Sequence, residues 1–239
     1  MRLDRYLLNN NLLDTRSQAI YFIKSNKISV NDIIVNKPSY LIKLDDKVKI
    51  IPKFIYVSKG GYKLESFLNK ISYSVNNKSI LDIGCSTGGF TNYFLLHGAS
   101  CVTSVDIAHD ILSEKLFKYS NLIYFDNFDI LNKDNLKVFK NKFDVISIDL
   151  SDVSITKVFL FLDKILKKKG AIIALFKPHY EGFKGVVSKE NKIKLSNKFE
   201  SWIKANTSFK IIHKVNSSER GGYNLKGNRE IFYLLKFNK

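Results

Sequence analysis

The chain has 239 residues, 45% of them hydrophobic, which suffices for one sizeable core and a small second one. Its formal net charge of +17 exceeds what solubility needs and points to a polyanionic partner, nucleic acid before a membrane surface. No window approaches the roughly 18–20 uninterrupted apolar residues of a membrane span, and the start Met1-Arg2-Leu3-Asp4-Arg5 lacks the apolar core of a signal peptide, so a cytoplasmic protein is expected.

After a polar start, Thr15 to Ser25 reads as a helix with Thr15 as N-cap, followed by short strands at 27–31, 33–35 and 47–50, with Asn31-Asp32 as the tight turn between the first two. This predicts a small α+β module over residues 1–50. Arg2, Arg5, Arg16, Lys24, Lys27 and Lys37 would line one basic face of it and grip phosphates, although lysine abounds throughout the chain and an ordinary solvated surface is the competing reading. Residues 51–55, interrupted by Pro52, read as a linker.

From residue 56 to 239 apolar strands alternate with amphipathic segments, the pattern of a parallel sheet covered on both faces and hence of the α/β class. Strands are predicted at 79–84, 101–106, 122–125, 143–149 and 171–176 with helices between them, and Thr156 to Lys168 has the clearest helical spacing. The ending differs: 209–215 and 230–237 are successive strands without a helix between, so they must pair antiparallel. A mostly parallel sheet closed by an antiparallel hairpin is the architecture of Rossmann-like methyltransferases. Cys85 and Cys101 are too few for a disulfide scaffold or a zinc cage, and both read as reduced, structural thiols in buried segments.

The stretch Ser79-Ile-Leu-Asp-Ile-Gly-Cys-Ser-Thr-Gly-Gly-Phe90 is a buried strand turning into a glycine-rich loop that opens a helix. Its spacing departs from the G-x-G-x-x-G of a dinucleotide site, so S-adenosylmethionine is the expected cofactor rather than NAD. Asp82 would pair with the ammonium of the methionine moiety. Gly84, Gly88 and Gly89 would let the backbone approach, with Ser86, Thr87 and Phe90 beside them. Asp106 ends the next strand about 20 residues beyond the first glycine, where a ribose hydroxyl is commonly held. Asp129 would sit beside the adenine or else cap a helix.

Lys63, Asp149, Lys177 and Glu230 fall at strand ends or loops that such a fold turns toward the cofactor crevice. The surrounding segments resemble the TlyA family, historically labelled haemolysins: Thr15-Arg-Ser-Gln-Ala19, Tyr56-Val-Ser-Lys-Gly-Gly-Tyr-Lys-Leu64, Leu81 to Thr91, Lys177-Pro-His-Tyr-Glu181, Lys184-Gly-Val-Val187 and Gly227-Asn-Arg-Glu230. The resemblance spans nearly the whole chain. It implies an S-four-like RNA-binding domain, an FtsJ-like methyltransferase domain, and a catalytic tetrad on those four residues. Its implied reaction is 2′-O-methylation of a cytidine ribose in ribosomal RNA, with a chain of this length associated with the large-subunit site. Departures from the family pattern are Asp152 where an aromatic is expected, His179-Tyr180 after Lys177-Pro178, and Asp129 where asparagine is usual.

The chemistry agrees with that implication. A ribose 2′-hydroxyl is a weak acid and needs a proton acceptor behind it; Lys177 would be that base, its pKa depressed by burial and by Lys63, with Lys63 positioning the ribose and the two acids orienting the amines. Tyr62, Phe90, Tyr180 and Tyr223 are candidates to stack a flipped base. His97, His109, His179 and His213 offer no ligand spacing, so no metal is expected. A noncatalytic ribosome-assembly factor and a membrane-active haemolysin are the alternatives, the first countered by the intact tetrad and the second by the lack of any spanning or amphipathic apolar stretch.

Overall fold

The computed structural model describes every residue except 52–55, 152, 183–185, 221–227 and 239. The chain divides into two compact units, Met1–Ile55 and Tyr56–Lys239. In the first, helices α1 (Leu3–Asn9) and α2 (Arg16–Lys24) precede a three-stranded antiparallel sheet of β1 (Ile28–Val30), β2 (Ile33–Ile34) and β3 (Val48–Ile50), in the order β2-β1-β3. Thr15 caps α2 by accepting the Gln18 N–H. Asn31 and Asp32 both take positive φ, 52° and 65°, the conformation a two-residue hairpin turn requires. The polar start is a helix after all: Leu3 and Leu7, one turn apart, are fully buried, and two apolar positions in seven residues are too few to register as a period.

The second unit runs α3 (Lys59–Lys70), β4 (Ser79–Ile83), α4 (Gly89–Leu96), β5 (Cys101–Val105), β6 (Leu122–Phe125), β7 (Phe143–Ile148), α5 (Thr156–Phe159), α6 (Leu162–Ile165), β8 (Leu166–Phe176), α7 (Lys189–Asn206), β9 (Phe209–Arg220) and β10 (Arg229–Phe237). They form a seven-stranded sheet in the order β6-β5-β4-β7-β8-β10-β9. Strands β4 to β8 pair in parallel, and β10 lies antiparallel to both β8 and β9. The order reverses at β4, which opens a crevice at the carboxyl ends of β4, β5 and β7.

Successive residues of β10 show which helices cover which face. Phe232 stacks on Phe67 of α3 and on Phe90 of α4, whereas Tyr233 packs on Phe199 and hydrogen-bonds Glu200 of α7. On the α7 face Ile146, Ile148, Ile172, Ala174 and Phe176 meet Val158, Phe159, Leu162, Phe199 and Ile203 in one core.

Three sequence expectations need correction. The links before β6 and before β7 contain single 3-10 turns, Glu114–Leu116 and Asn135–Val138, in place of helices. The Thr156 to Lys168 segment is two one-turn helices broken at Phe161, with Leu166 already in β8; its apolar residues still reach the core, so burial satisfied the spacing without a continuous helix. Cys101 is half-buried, while Cys85 is buried as expected, and its environment pushes the thiol pKa upward.

Candidate active site

The loop from β4 to α4 is held by the chain itself. Gly88 caps α4 with φ 91°, and a Cβ there would lie 2.3 Å from Leu116 Cδ1. A Cβ on Gly89 would meet Ser58 Oγ at 2.2 Å, Gly61 N at 3.0 Å and Gly60 Cα at 3.1 Å, because the start of α3 packs directly on it. These two glycines make room for neighbouring parts of the chain, and neither is among the residues that line the crevice. Gly84 keeps a place in the crevice, and behind it a Cβ would sit 2.7 Å from the Asp149 carbonyl oxygen.

Asp82 is likewise engaged within the chain. It is fully buried, its Oδ2 accepting from Thr91 Oγ1 and its Oδ1 from Ser147 Oγ, both at 2.7 Å. Ser104 Oγ joins through Thr91 Oγ1, again at 2.7 Å. Register places Ser104 and Ser147 on either side of Asp82, so the cluster ties β4, β5 and β7 to α4. Burial raises the carboxyl pKa to about 6, and the two hydroxyls only partly offset that. Asp82 thus ties together the strands under the loop, and it is not among the residues that line the crevice. Sequence reasoning missed its partners, whose signal was a lone serine inside each of two apolar strands.

A cleft of about 470 Å³ lies over these strand ends, within the range of small-molecule sites. Of the residues expected to bind cofactor, Gly84, Ser86, Asp106 and Asp129 line it, joined by the unforeseen apolar walls Ile107, Ile111 and Leu131. Asp106 accepts from the backbone N–H of Ser86 at 2.8 Å and of Ala108 at 2.9 Å, which aims its carboxylate along the loop. Asp129 accepts from Leu131 N–H at 2.8 Å, a local turn bond and not the helix cap weighed as its alternative role, since Asp134 precedes the next helical turn. Thr87, Gly88, Gly89 and Phe90 are not among the walls; Phe90 is core, 3% exposed.

Two ion pairs lie within electrostatic reach of one another, one of them anchored on a cleft wall, Asp149. Lys63 Nζ donates to Glu230 Oε2 at 2.6 Å, joining α3 to β10, and Lys177 Nζ lies 2.6 Å from Asp149 Oδ1. Lys177 also donates to Ser151 Oγ at 3.2 Å, and both Asp149 and Ser151 are cleft walls. Both lysines are largely buried, with side chains 12% and 13% exposed. Burial pulls the Lys177 ammonium down, but the charge and hydrogen bond of Asp149, with Glu230 behind them, outweigh it and leave the pKa above the ordinary 10.5. The expected depression is therefore corrected: opposite charges at contact distance exceed desolvation.

Of the proposed base-stacking residues, Tyr180 lies beside the site, its ring centre 5.8 Å from Lys177 Nζ. Tyr62 and Phe90 are buried, Tyr62 Oη accepting the Tyr56 N–H, and neither is placed to stack. Tyr223, Asp152, Lys184 and Gly227 lie outside the described residues. In the first unit, Arg2 and Arg16 converge on buried Asp4, with Nε–Oδ distances of 2.9 and 3.5 Å. Arg5, Lys24 and Lys37 are exposed, whereas Lys27 is half-buried over the Tyr21 ring at 5.3 Å. Among the described residues, His109, Asp110 and Asp126 form one group with metal-ligand potential, invisible in the sequence spacing; it is a surface cluster in which His109 bonds Asp126.

The strand order, the antiparallel final pair and an acid-lined cleft at the sheet's carboxyl edge define a Rossmann-like methyltransferase. Residues 56–222 match the FtsJ-like methyltransferase family and residues 1–48 the S4 domain. "Hemolysin A" of Brachyspira hyodysenteriae is 34% identical over 247 positions, covering 99% of both chains. The "23S rRNA (cytidine-2'-O)-methyltransferase TlyA" of Campylobacter jejuni is 34% identical over 148 positions, 61% of this chain and 55% of its own. A solved hemolysin-named protein from Streptococcus thermophilus superposes with TM-score 0.72 at 27% identity, covering 100% of this chain and 89% of that one. The chain belongs to the FtsJ-like methyltransferases of the haemolysin A/TlyA family.

Proposed function

We propose that this protein transfers a methyl group from S-adenosylmethionine to the 2′-oxygen of a cytidine ribose in ribosomal RNA, with the large subunit as substrate. The observation that carries it is the two Lys–carboxylate contacts, Lys63–Glu230 and Lys177–Asp149, which act on one another and of which Asp149 lines the acid-lined cleft. The cleft fits the cofactor by its chemistry: Asp106 is aimed to accept from ribose hydroxyls, Asp129 offers a polar edge to the base, and Ile107, Ile111 and Leu131 supply apolar walls for the ring. When bound, S-adenosylmethionine supplies an electrophilic methyl group on a sulfonium.

Lys177 Nζ would take the 2′-hydroxyl proton, and it can do so only after giving up its own, which the paired Asp149 holds in place. Lys63, fixed by Glu230, would position the ribose or its phosphate. Arg2 and Arg16, splayed around Asp4, and exposed Arg5, Lys24 and Lys37 would grip the RNA backbone. The relatives' haemolysin label draws no support from the helices: among the described residues none is long and apolar enough to cross a membrane.

The test is methyl transfer from labelled S-adenosylmethionine to unmodified large and small ribosomal subunits, with the modified position read by ribose-methylation mapping. Incorporation at a single 2′-oxygen of the large subunit is expected. Cofactor binding without incorporation into either subunit would sink the reading and favour a noncatalytic assembly factor.

A further inference from the structure

A second cleft, of about 520 Å³, opens on the α7 face of the sheet beside Pro178, between α7 and the paired strands β9 and β10. Arg229 and Ile231 line it, while Glu230 between them reaches Lys63 on the opposite face, as strand alternation requires. Lys189 and Lys192 from α7, Lys214 from β9 and Arg229 from β10 bring four cations to its walls. One carboxylate answers them: Glu200 pairs with Lys214 at 2.5 Å. Lys192 Nζ donates at 2.6 Å to the neutral Asn216 Oδ1, and among the described residues no carboxylate pairs with Lys189, Lys192 or Arg229. Burial, and then the charges of Arg229 and Lys214, push the Lys192 ammonium down, the signature of positive charge gathered without a counter-anion.

Such a cleft concentrates anions. Its position selects which anion: Pro178 follows Lys177 and Arg229 precedes Glu230, so the cleft and the tetrad share one sheet edge, back to back. A strand with its ribose at the tetrad has this cleft within reach across that edge. We infer that this cleft holds a backbone phosphate of the substrate RNA beside the modified nucleotide, an inference that rests on the RNA-methyltransferase reading above. The contact reads no base; it fixes the register of the strand, with Lys192 and Arg229 the residues that hold it.

The experiment compares wild type with the Lys192→Gln/Arg229→Gln double variant, measuring affinity for in vitro transcribed large-subunit ribosomal RNA across a salt series together with methyl-transfer kinetics. The expected result is roughly tenfold weaker RNA binding, a salt slope shallower by about 1–2, and a matching rise in KM for RNA with kcat little changed. Lys192→Arg/Arg229→Lys, which keeps both charges, should recover most of the affinity. Unchanged affinity and slope in the double variant would overturn the inference, as would a fall in kcat at unchanged RNA affinity. Should wild type bind the RNA yet transfer no methyl group, the proposed activity falls, while the binding comparison still judges the cleft.

Discussion

Lys177 gives the sharpest test because the structure makes its resting state unsuited to the role proposed for it. At its ordinary pKa of 10.5 a lysine at pH 7 is neutral in only about one molecule in 3,000, and the Asp149 contact moves the balance further toward the ammonium. If the neutral amine accepts the 2′-hydroxyl proton, turnover at saturating cofactor and RNA should climb about tenfold per pH unit between pH 6.5 and 9, with no plateau in that window. Asp149→Asn removes the largest upward influence and leaves burial in command, so a plateau should enter at lower pH even though lost orientation reduces the absolute rate. Lys177→Met should cost roughly 100- to 10,000-fold in kcat with cofactor affinity near that of wild type. The assay is labelled-methyl transfer under single-turnover conditions, which isolates chemistry from release. A flat wild-type profile, or Lys177→Met retaining more than about a tenth of the rate, would refute the assignment of the base.

Asp82 should report on folding with the opposite sign from a salt-bridged acid. Its folded pKa of about 6 lies above the ordinary 3.8, so stability falls as pH rises from about 4 to 6, by up to roughly 3 kcal/mol, and then levels off. Asp82→Asn should flatten that slope in denaturant titrations at pH 4.5 and 7, and an identical slope in both proteins would discredit the placement. Gly89→Ala should destabilise by about 1–3 kcal/mol, since its Cβ has backbone of α3 within 3.1 Å, and adding Ser58→Ala should recover only part of the loss in thermal melts. Asp106→Ala should weaken S-adenosylmethionine binding roughly 10- to 100-fold by calorimetry without altering RNA affinity; equal cofactor affinity would remove Asp106 from the site.

Strands buried on both faces read as unbroken apolar runs, so β4, β5, β7 and the core of β8 were visible in sequence, as was the hairpin of β9 and β10, which lacks any helix between its strands. Short elements were not: α1 buries Leu3, Leu7 and the charged Asp4, and α5 and α6 are single turns whose shape is set by the core they fill. Lys63, Asp149, Lys177 and Glu230 could be named from motif positions, but the direction of the Lys177 shift could not. It is a contest between burial and two carboxylates, decided by distances that only the folded chain defines. The bonds of Asp82 were hidden for a related reason: an acid near the end of an apolar strand reads as a ligand, and only the folded register of Ser104 and Ser147 shows that each of its oxygens accepts a bond within the chain.

The glycine motif gains a second meaning from its neighbours. Its first glycine, Gly84, abuts the carbonyl of Asp149, and its last, Gly89, abuts the backbone of Gly60 and Gly61, three and two residues before Lys63. The loop is therefore clamped between the element that carries the acid of one ion pair and the helix that carries the lysine of the other. Ser86 in the same loop donates its N–H to Asp106, the carboxylate proposed to hold the cofactor ribose. One loop thus touches Asp149 through Gly84, the start of α3 through Gly89 and Asp106 through Ser86. The proposed cofactor site and the proposed proton-handling site share this loop. A side chain added at Gly89 would press on Ser58, Gly60 and Gly61 at the start of α3, the helix that carries Lys63.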